Sequence, residues 1–185
     1  MGKFTGMTEM DDETDWVARS RAGDPDGFEP LVRCYQRMIH TLTYRMTGSL
    51  ADADDLAQET FIRAYHQMPR FRGESKFSSW LYRIAVNLCL EWRAREARRS
   101  RVQHDWAESD QTDRQSPISD PRSDGIQTAL MELSPKQRAV IVLTVYEEMS
   151  HAEAAAILGC REATVSWHAF AARRRLAQLM EGSVP

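Results

Sequence analysis

ADADDLAQETFIRAYHQMPRFRGESKFSSWLYR, residues 51–83, carries two amphipathic helices of opposite charge on either side of a basic loop that contains Gly73. From Ala53 the apolar residues fall at Ala53, Leu56, Ala57, Phe61, Ala64, Tyr65 and Met68, the i, i+3, i+4, i+7 spacing of one buried helix face. Asp54, Asp55, Gln58 and Glu59 then share the opposite, exposed and acidic face. After the loop the stripe restarts at Phe77, Trp80, Leu81, Ile84, Ala85 and Leu88. Ser79, Arg83 and Asn87 recur every four residues and so line up on the outward side of this second helix. An acidic face beside a basic, hydrogen-bonding one suits two different partners.

On the N-terminal side, residues 27–47 place Phe28, Leu31, Val32, Tyr35, Met38, Ile39, Leu42 and Met46 on one helical face, and Gly48 suits the C-cap. Residues 1–24 read as an acidic leader with a short helix over Trp16–Arg21 before the turn-like AGDPDG. Three long amphipathic helices can bury their stripes against one another, so a first helical domain is expected over residues 25–101. Residues 102–127 are polar and acidic, with Pro117, Pro121 and Gly125, and read as a flexible linker. Trp106 is the exception there, either an anchor on a domain or partner or a loosely exposed side chain.

A second domain is expected over residues 128–182. Ser134-Pro135 is an N-cap followed by proline at the first helical position. The helix that follows carries Val140, Ile141, Leu143, Thr144 and Tyr146. Ser150 with Glu153 makes a capping box for the short helix AEAAAIL, which Gly159 can terminate. A last helix from about Glu162 to Met180 has its seam at Val165, Ala169, Ala172, Leu176 and Leu179. Short helix, glycine-containing turn and longer helix form a helix-turn-helix, whose final helix enters the DNA major groove. No strand-like alternation appears, so the expected fold class is all-α: two small helical domains joined by a flexible linker.

Composition narrows the function classes. The apolar share of 42% can fill real cores, yet no run is long and apolar enough for a membrane span, so no membrane insertion is expected. The N terminus lacks the apolar centre of a signal peptide, and Gly6 stands where a myristoylation motif wants Ser or Thr, which leaves a cytoplasmic location. Cys34, Cys89 and Cys160 are too few and too widely spaced for a disulfide scaffold or a zinc site, and Cys89 reads as a reduced core thiol. The net charge of −3 hides a segregation: residues 1–60 carry −6, residues 61–103 carry +7, residues 104–135 carry −5 and residues 136–185 carry +1. A basic stripe in an acidic frame has phosphate affinity with its flanks opposing random DNA binding.

DADDLAQETFIRAY (52–65) followed by FRGESKFSSWLYRIAVN (71–87) closely resembles region 2 of bacterial sigma factors, members of the sigma-70 family in the extracytoplasmic-function group. LSPKQRAVIVLTVYEEMSHAEAAAILGC (133–160) resembles their region 4, and the two blocks together span roughly Pro25 to Met180. The resemblance implies an alternative sigma factor. Such a protein is a non-catalytic initiation subunit without cofactor, metal or catalytic residue, and it directs core RNA polymerase to particular promoters. Its implied partners are the β′ coiled coil and β flap of core polymerase, promoter DNA and an anti-sigma factor.

The resemblance also assigns residues. Asp54, Asp55, Gln58 and Glu59 match the surface that docks on the basic β′ coiled coil. On residues alone, the cluster of Asp52, Asp54, Asp55 and Glu59 also reads as a solvated face or a Mg²⁺ site, although no phosphate-cradling loop or metal motif accompanies it. The loop of Arg70, Arg72, Glu74, Ser75 and Lys76, with Phe77, matches one that captures a base flipped out of the −10 element, a task needing donors, cations and a stacking surface. Arg83 and Asn87 are the −10 contacts expected on the basic helix, since Asn pairs with adenine and Arg with guanine or phosphate. Arg93, Arg95, Arg98, Arg99 and Arg101 occupy several faces and suit phosphates.

For −35 DNA the candidates are Arg161, Thr164, Ser166, Trp167, His168 and Arg173. Here the chain departs from the family pattern Gly-Thr-Val-Lys-Ser-Arg, with Ser166 and His168 at two usual cation positions. Trp167, off the seam and on the side shared with Ala163 and Phe170, reads as a contact to thymine methyls or as a cover for a protein surface. Rival readings are a polymerase-independent helix-turn-helix DNA-binding regulator, a metal-dependent nucleic-acid enzyme, and a helical interaction protein whose basic stripe is only solvated.

Overall fold

The protein, described by a computed structural model over residues 8–106 and 121–181, is helical in every regular element of those residues. Four helices build the first domain: α1 (Thr8–Arg21), α2 (Pro25–Thr47), α3 (Leu50–Gln67) and α4 (Phe77–Trp106). A 3₁₀ turn at Met68–Arg70 closes α3 before the loop. The second domain holds α5 (Pro121–Met131), α6 (Pro135–Ile141), α7 (His151–Leu158) and α8 (Glu162–Glu181).

Local chemistry fixes the ends of these helices. Asp24 caps α2 by accepting from the Asp26 amide at 2.9 Å, and Ser49 caps α3 through the Asp52 amide. Both expected caps of the second domain form: Ser134 with Gln137 and Ser150 with Glu153 make reciprocal capping boxes. Gly159 stops α7 at φ 63°, a left-handed conformation that a side chain would resist, and so sets the sharp turn into α8.

The three stripes meet as expected. Leu31, Ile39, Leu42 and Met46 of α2, Ala53 and Ala64 of α3, and Leu81, Ala85 and Leu88 of α4 are almost wholly buried. Cys89 lies among them, and burial pushes its thiol up to about 12. Tyr65 departs from the expected face: it is exposed and packs edge-on against Phe28 at 5.3 Å. Ala64 and Met68 stay on the seam, and Tyr65, about 100° round the helix from Ala64, falls at its edge.

Three boundaries differ from the sequence reading. Helix α1 begins well before Trp16: Glu13 accepts a 2.8 Å hydrogen bond from Tyr35 Oη, and Trp16 and Val17 pack on the core. It lies so close to α2 that a Cβ on Gly27 would sit 2.7 Å from Arg19 Cβ and 2.9 Å from the Ser20 nitrogen. Residues 102–127, expected to be a linker, are helical at both described ends, since α4 runs to Trp106 and α5 starts at Pro121. Residues 107–120 and the surroundings of Trp106 lie outside the described residues. Finally, α6 passes into a π-helical turn, Val142–Tyr146, closed by the Glu147 amide on the Val142 carbonyl at 3.1 Å.

The two domains share one continuous core. Val140, Val142 and Leu143 together with Ala154, Ala155 and Ile157 of α7 join the buried cluster of the first domain, and α7 lies along α4. Arg138 is completely buried and spans the junction. Its guanidinium donates to the carbonyls of Leu130 (2.7 Å), Met131 (2.7 Å), Leu133 (3.2 Å) and, across the domains, Met46 (2.6 Å). These are the C-terminal ends of α5 and α2, whose unsatisfied carbonyls attract a cation. Burial, and less so Arg93, lowers the Arg138 pKa to about 10, which leaves it charged at neutral pH.

Candidate nucleic-acid interface

The acidic face of α3 forms as the spacing predicts. Asp54, Asp55 and Gln58 are exposed and Glu59 is half-buried. Two of the carboxylates already have partners: Asp54 Oδ1 lies 2.9 Å from His40 Nε2, and Glu59 accepts from Arg63 Nε at 2.8 Å. Between α2 and α3 runs an open groove of about 430 Å³ with Val32, Ala57 and Phe61 as apolar lining and Arg37, His40, Asp54 and Gln58 as polar lining. The α2 side of this surface was invisible in the α3 spacing, because only the packing of the two helices brings it alongside. Among the described residues no group of acidic, His or Cys side chains is arranged to hold a metal ion.

At the other end of α3 the loop presents Arg70, Arg72, Glu74, Ser75 and Lys76 to solvent. Arg72 and Glu74 stand 3.8 Å apart, both strongly exposed. Phe77, expected in the base pocket, is instead buried. Its ring packs on Trp80 (5.6 Å), Phe71 (5.9 Å) and Tyr35 (5.5 Å), so it braces the loop from beneath. Trp80 is only half-buried, its ring 4.9 Å from that of Phe71.

Arg83 and Asn87 both point outward from α4. Arg83 is engaged, however: its Nη2 donates to the Ala156 carbonyl of α7 at 2.6 Å. One residue away, Tyr82 donates to Glu147, whose other oxygen lies 3.3 Å from Arg45 Nη1. Burial, followed by that hydrogen bond, raises the Tyr82 phenol well above its usual range. Arg45 also stacks over the Tyr146 ring at 4.0 Å. The second domain thus covers part of α4.

On α8, Val165, Ala169 and Ala172 are buried as the seam predicts. Arg161, Thr164, Ser166, Trp167 and Arg173 are exposed. Ser166 Oγ is paired with His151 Nδ1 at 2.9 Å. His168 departs from the expected set: it is half-buried, its Nδ1 lies inside without a protein partner, and burial and then Lys136 lower its pKa. At neutral pH it adds no cation to the DNA side. Phe170, which the sequence placed only as a neighbour of Trp167, is open on the same face.

Comparison with known proteins bears on the whole arrangement. The family models Sigma-70 region 2 and Sigma-70, region 4 match residues 31–99 and 123–176 respectively. Over 182 residues the chain is 34% identical to the ECF RNA polymerase sigma factor SigM of Mycobacterium tuberculosis, covering 96% of this chain and 88% of that protein. The chain belongs to the sigma-70 family, in its extracytoplasmic-function group.

This sigma factor is also 35% identical over 164 residues to SigW of Bacillus subtilis, covering 80% of its own chain and 86% of the relative. Among solved structures it is similar to CnrH in complex with the cytosolic domain of CnrY, with TM-score 0.69, 26% identity and coverage of 94% and 99% of the two chains. It is likewise similar to RpoE from Bartonella quintana in complex with the anti-sigma factor NepR, with TM-score 0.65, 26% identity and coverage of 85% and 98%. The first match ends inside α4 and the second begins inside α5. As an alternative sigma factor the protein directs promoter-specific transcription initiation. None of its described helices is long and apolar enough to cross a membrane.

Proposed function

We propose that this sigma factor docks on the β′ coiled coil of core RNA polymerase through Asp54, Asp55, Gln58 and Glu59 of α3, with the second domain placed on the β flap. The −10 element is read by the 70–76 loop and by Arg83 and Asn87 of α4, and −35 DNA by α8. The observation that carries this reading is the division of charge on one bundle. The acidic face of α3 and the exposed cations of the loop and α4 lie on adjacent helices of a single core.

The protein works in the cytoplasm as a non-catalytic subunit, because bond formation belongs to the polymerase. An anti-sigma factor is a further partner; RpoE, with a similar fold, is held by one. Gel filtration of the pure protein with core polymerase tests the scheme. A 1:1 complex that initiates only on selected promoters is expected. Promoter binding by the free protein with no complex would favour a polymerase-independent regulator.

A further inference from the structure

Among the exposed large apolar side chains of the described residues, Trp167 and Phe170 are the most open, at 62% and 68%. They stand three residues apart on one face of α8, the second helix of the helix-turn-helix, with an exposed Arg161 before them and Arg173, Arg174 and Arg175 after them. Beside the two rings runs an open groove of about 370 Å³ whose other walls include Ala171 and Arg174. Two of the nearby hydrogen-bonding groups are taken up elsewhere, Ser166 by His151 and His168 by half-burial, while Thr164 stays exposed. An apolar surface framed by cations fits the edge of a polyanion.

In the major groove the one apolar feature of a base-pair edge is the thymine C5-methyl group. Side chains three apart on a helix are separated by about 4.5 Å along its axis, close to the roughly 3.4 Å between successive base pairs. Two aromatic rings on this face therefore meet methyls on neighbouring steps. We propose that Trp167 and Phe170 set the −35 specificity of this sigma factor by contact with thymine methyl groups, and that the surrounding arginines hold the phosphates. This rests on the placement of α8 at −35 DNA. It adds apolar contact to the hydrogen bonds that Thr164 and the arginines can supply.

The test uses holoenzyme and a promoter selected from a pool randomised at −35. Replacing each −35 thymine by deoxyuridine deletes a methyl and leaves every hydrogen-bonding group in place. Wild-type binding should fall about fourfold per contacted methyl. Trp167→Ala and Phe170→Ala should each bind the thymine promoter more weakly and lose the deoxyuridine effect at one position only. The double variant should become indifferent to deoxyuridine, and Trp167→Phe, which keeps an aromatic ring, should retain the methyl dependence. A wild-type holoenzyme that needs the −35 sequence yet tolerates deoxyuridine throughout would overturn the methyl reading and leave α8 on the DNA. Alanine variants that bind the promoter as wild type does, or that lose only self-association or protein binding, would take the two rings off the −35 site and overturn the proposal. A wild-type holoenzyme indifferent to the −35 sequence would remove α8 from that DNA altogether.

Discussion

At the scale of single residues, opposite chemistry on neighbouring helices makes separable predictions. Reversing Asp54 and Asp55 to Lys should weaken core binding with unchanged helicity, since both side chains point to solvent. Exposed ion pairs contribute about 0.2–1 kcal/mol each, and desolvation in an interface raises that. A double variant that titrates core polymerase like wild type would exclude docking through this face. Asn87→Ala should leave core binding intact and relax preference at one −10 position, at a cost of roughly 1–3 kcal/mol of discrimination. The readout is transcription across a set of −10 variants, and an equal loss on all of them would assign Asn87 to phosphate or to folding. Spacing placed Asp54, Asp55 and Asn87 on outward faces because it reports which side of a helix a residue occupies. It also put Phe77 on the buried stripe; the resemblance assigned Phe77 and His168 as contacts, and packing buries the first and half-buries the second.

Among the elements, those with wide apolar stripes were legible: α2, α3, the first half of α4, and α8 with its cap and turn. Helix α1 was cut short because only Trp16 and Val17 give it an apolar side. Its earlier turns are tied down by the Tyr35 hydrogen bond to Glu13, which is not a periodic signal. Helix α5 was missed for a different reason. Pro121, Ser123, Asp124 and Gly125 compose like a linker, yet Leu130 is buried and Gln127 donates to the Tyr44 carbonyl at 3.1 Å. Tertiary contact overrode propensity there. The helix-turn-helix rests on the α7 cap, and Ser150→Ala should cost about 1 kcal/mol in thermal unfolding. Hydrogen bonds from Ser150 hold the Glu153 carboxyl below its ordinary value. The unfolded chain therefore takes up that proton first as pH falls, and the stabilisation, full above the ordinary carboxylate pKa, is lost as pH drops through the depressed one. Melting curves of wild type and Glu153→Gln should converge in acid; a constant gap would remove the linkage.

For the molecule as a whole, the closed arrangement ties α7 to α4. Arg83 donates to Ala156 in this state, so part of its guanidinium is engaged by α7 while its remaining donors stay open to solvent. Tyr82→Phe keeps the ring and deletes the hydroxyl that bonds Glu147, a charged hydrogen bond worth about 1.5–3 kcal/mol. Small-angle scattering should then show a larger radius of gyration for the free variant, and an unchanged radius would mean that the apolar contacts hold the domains unaided. The chemistry of the clasp also has a genetic consequence. Arg83 and Arg138 both reach across the junction to main-chain oxygens, of Ala156 and Met46. Every amino acid supplies that oxygen, so replacing Ala156 leaves the acceptor where it was. Alleles that spring the molecule open should therefore accumulate on the donor side, at Arg138 or Tyr82, while codon 156 stays silent. An allele at Arg83 would loosen the same clasp from the α4 side.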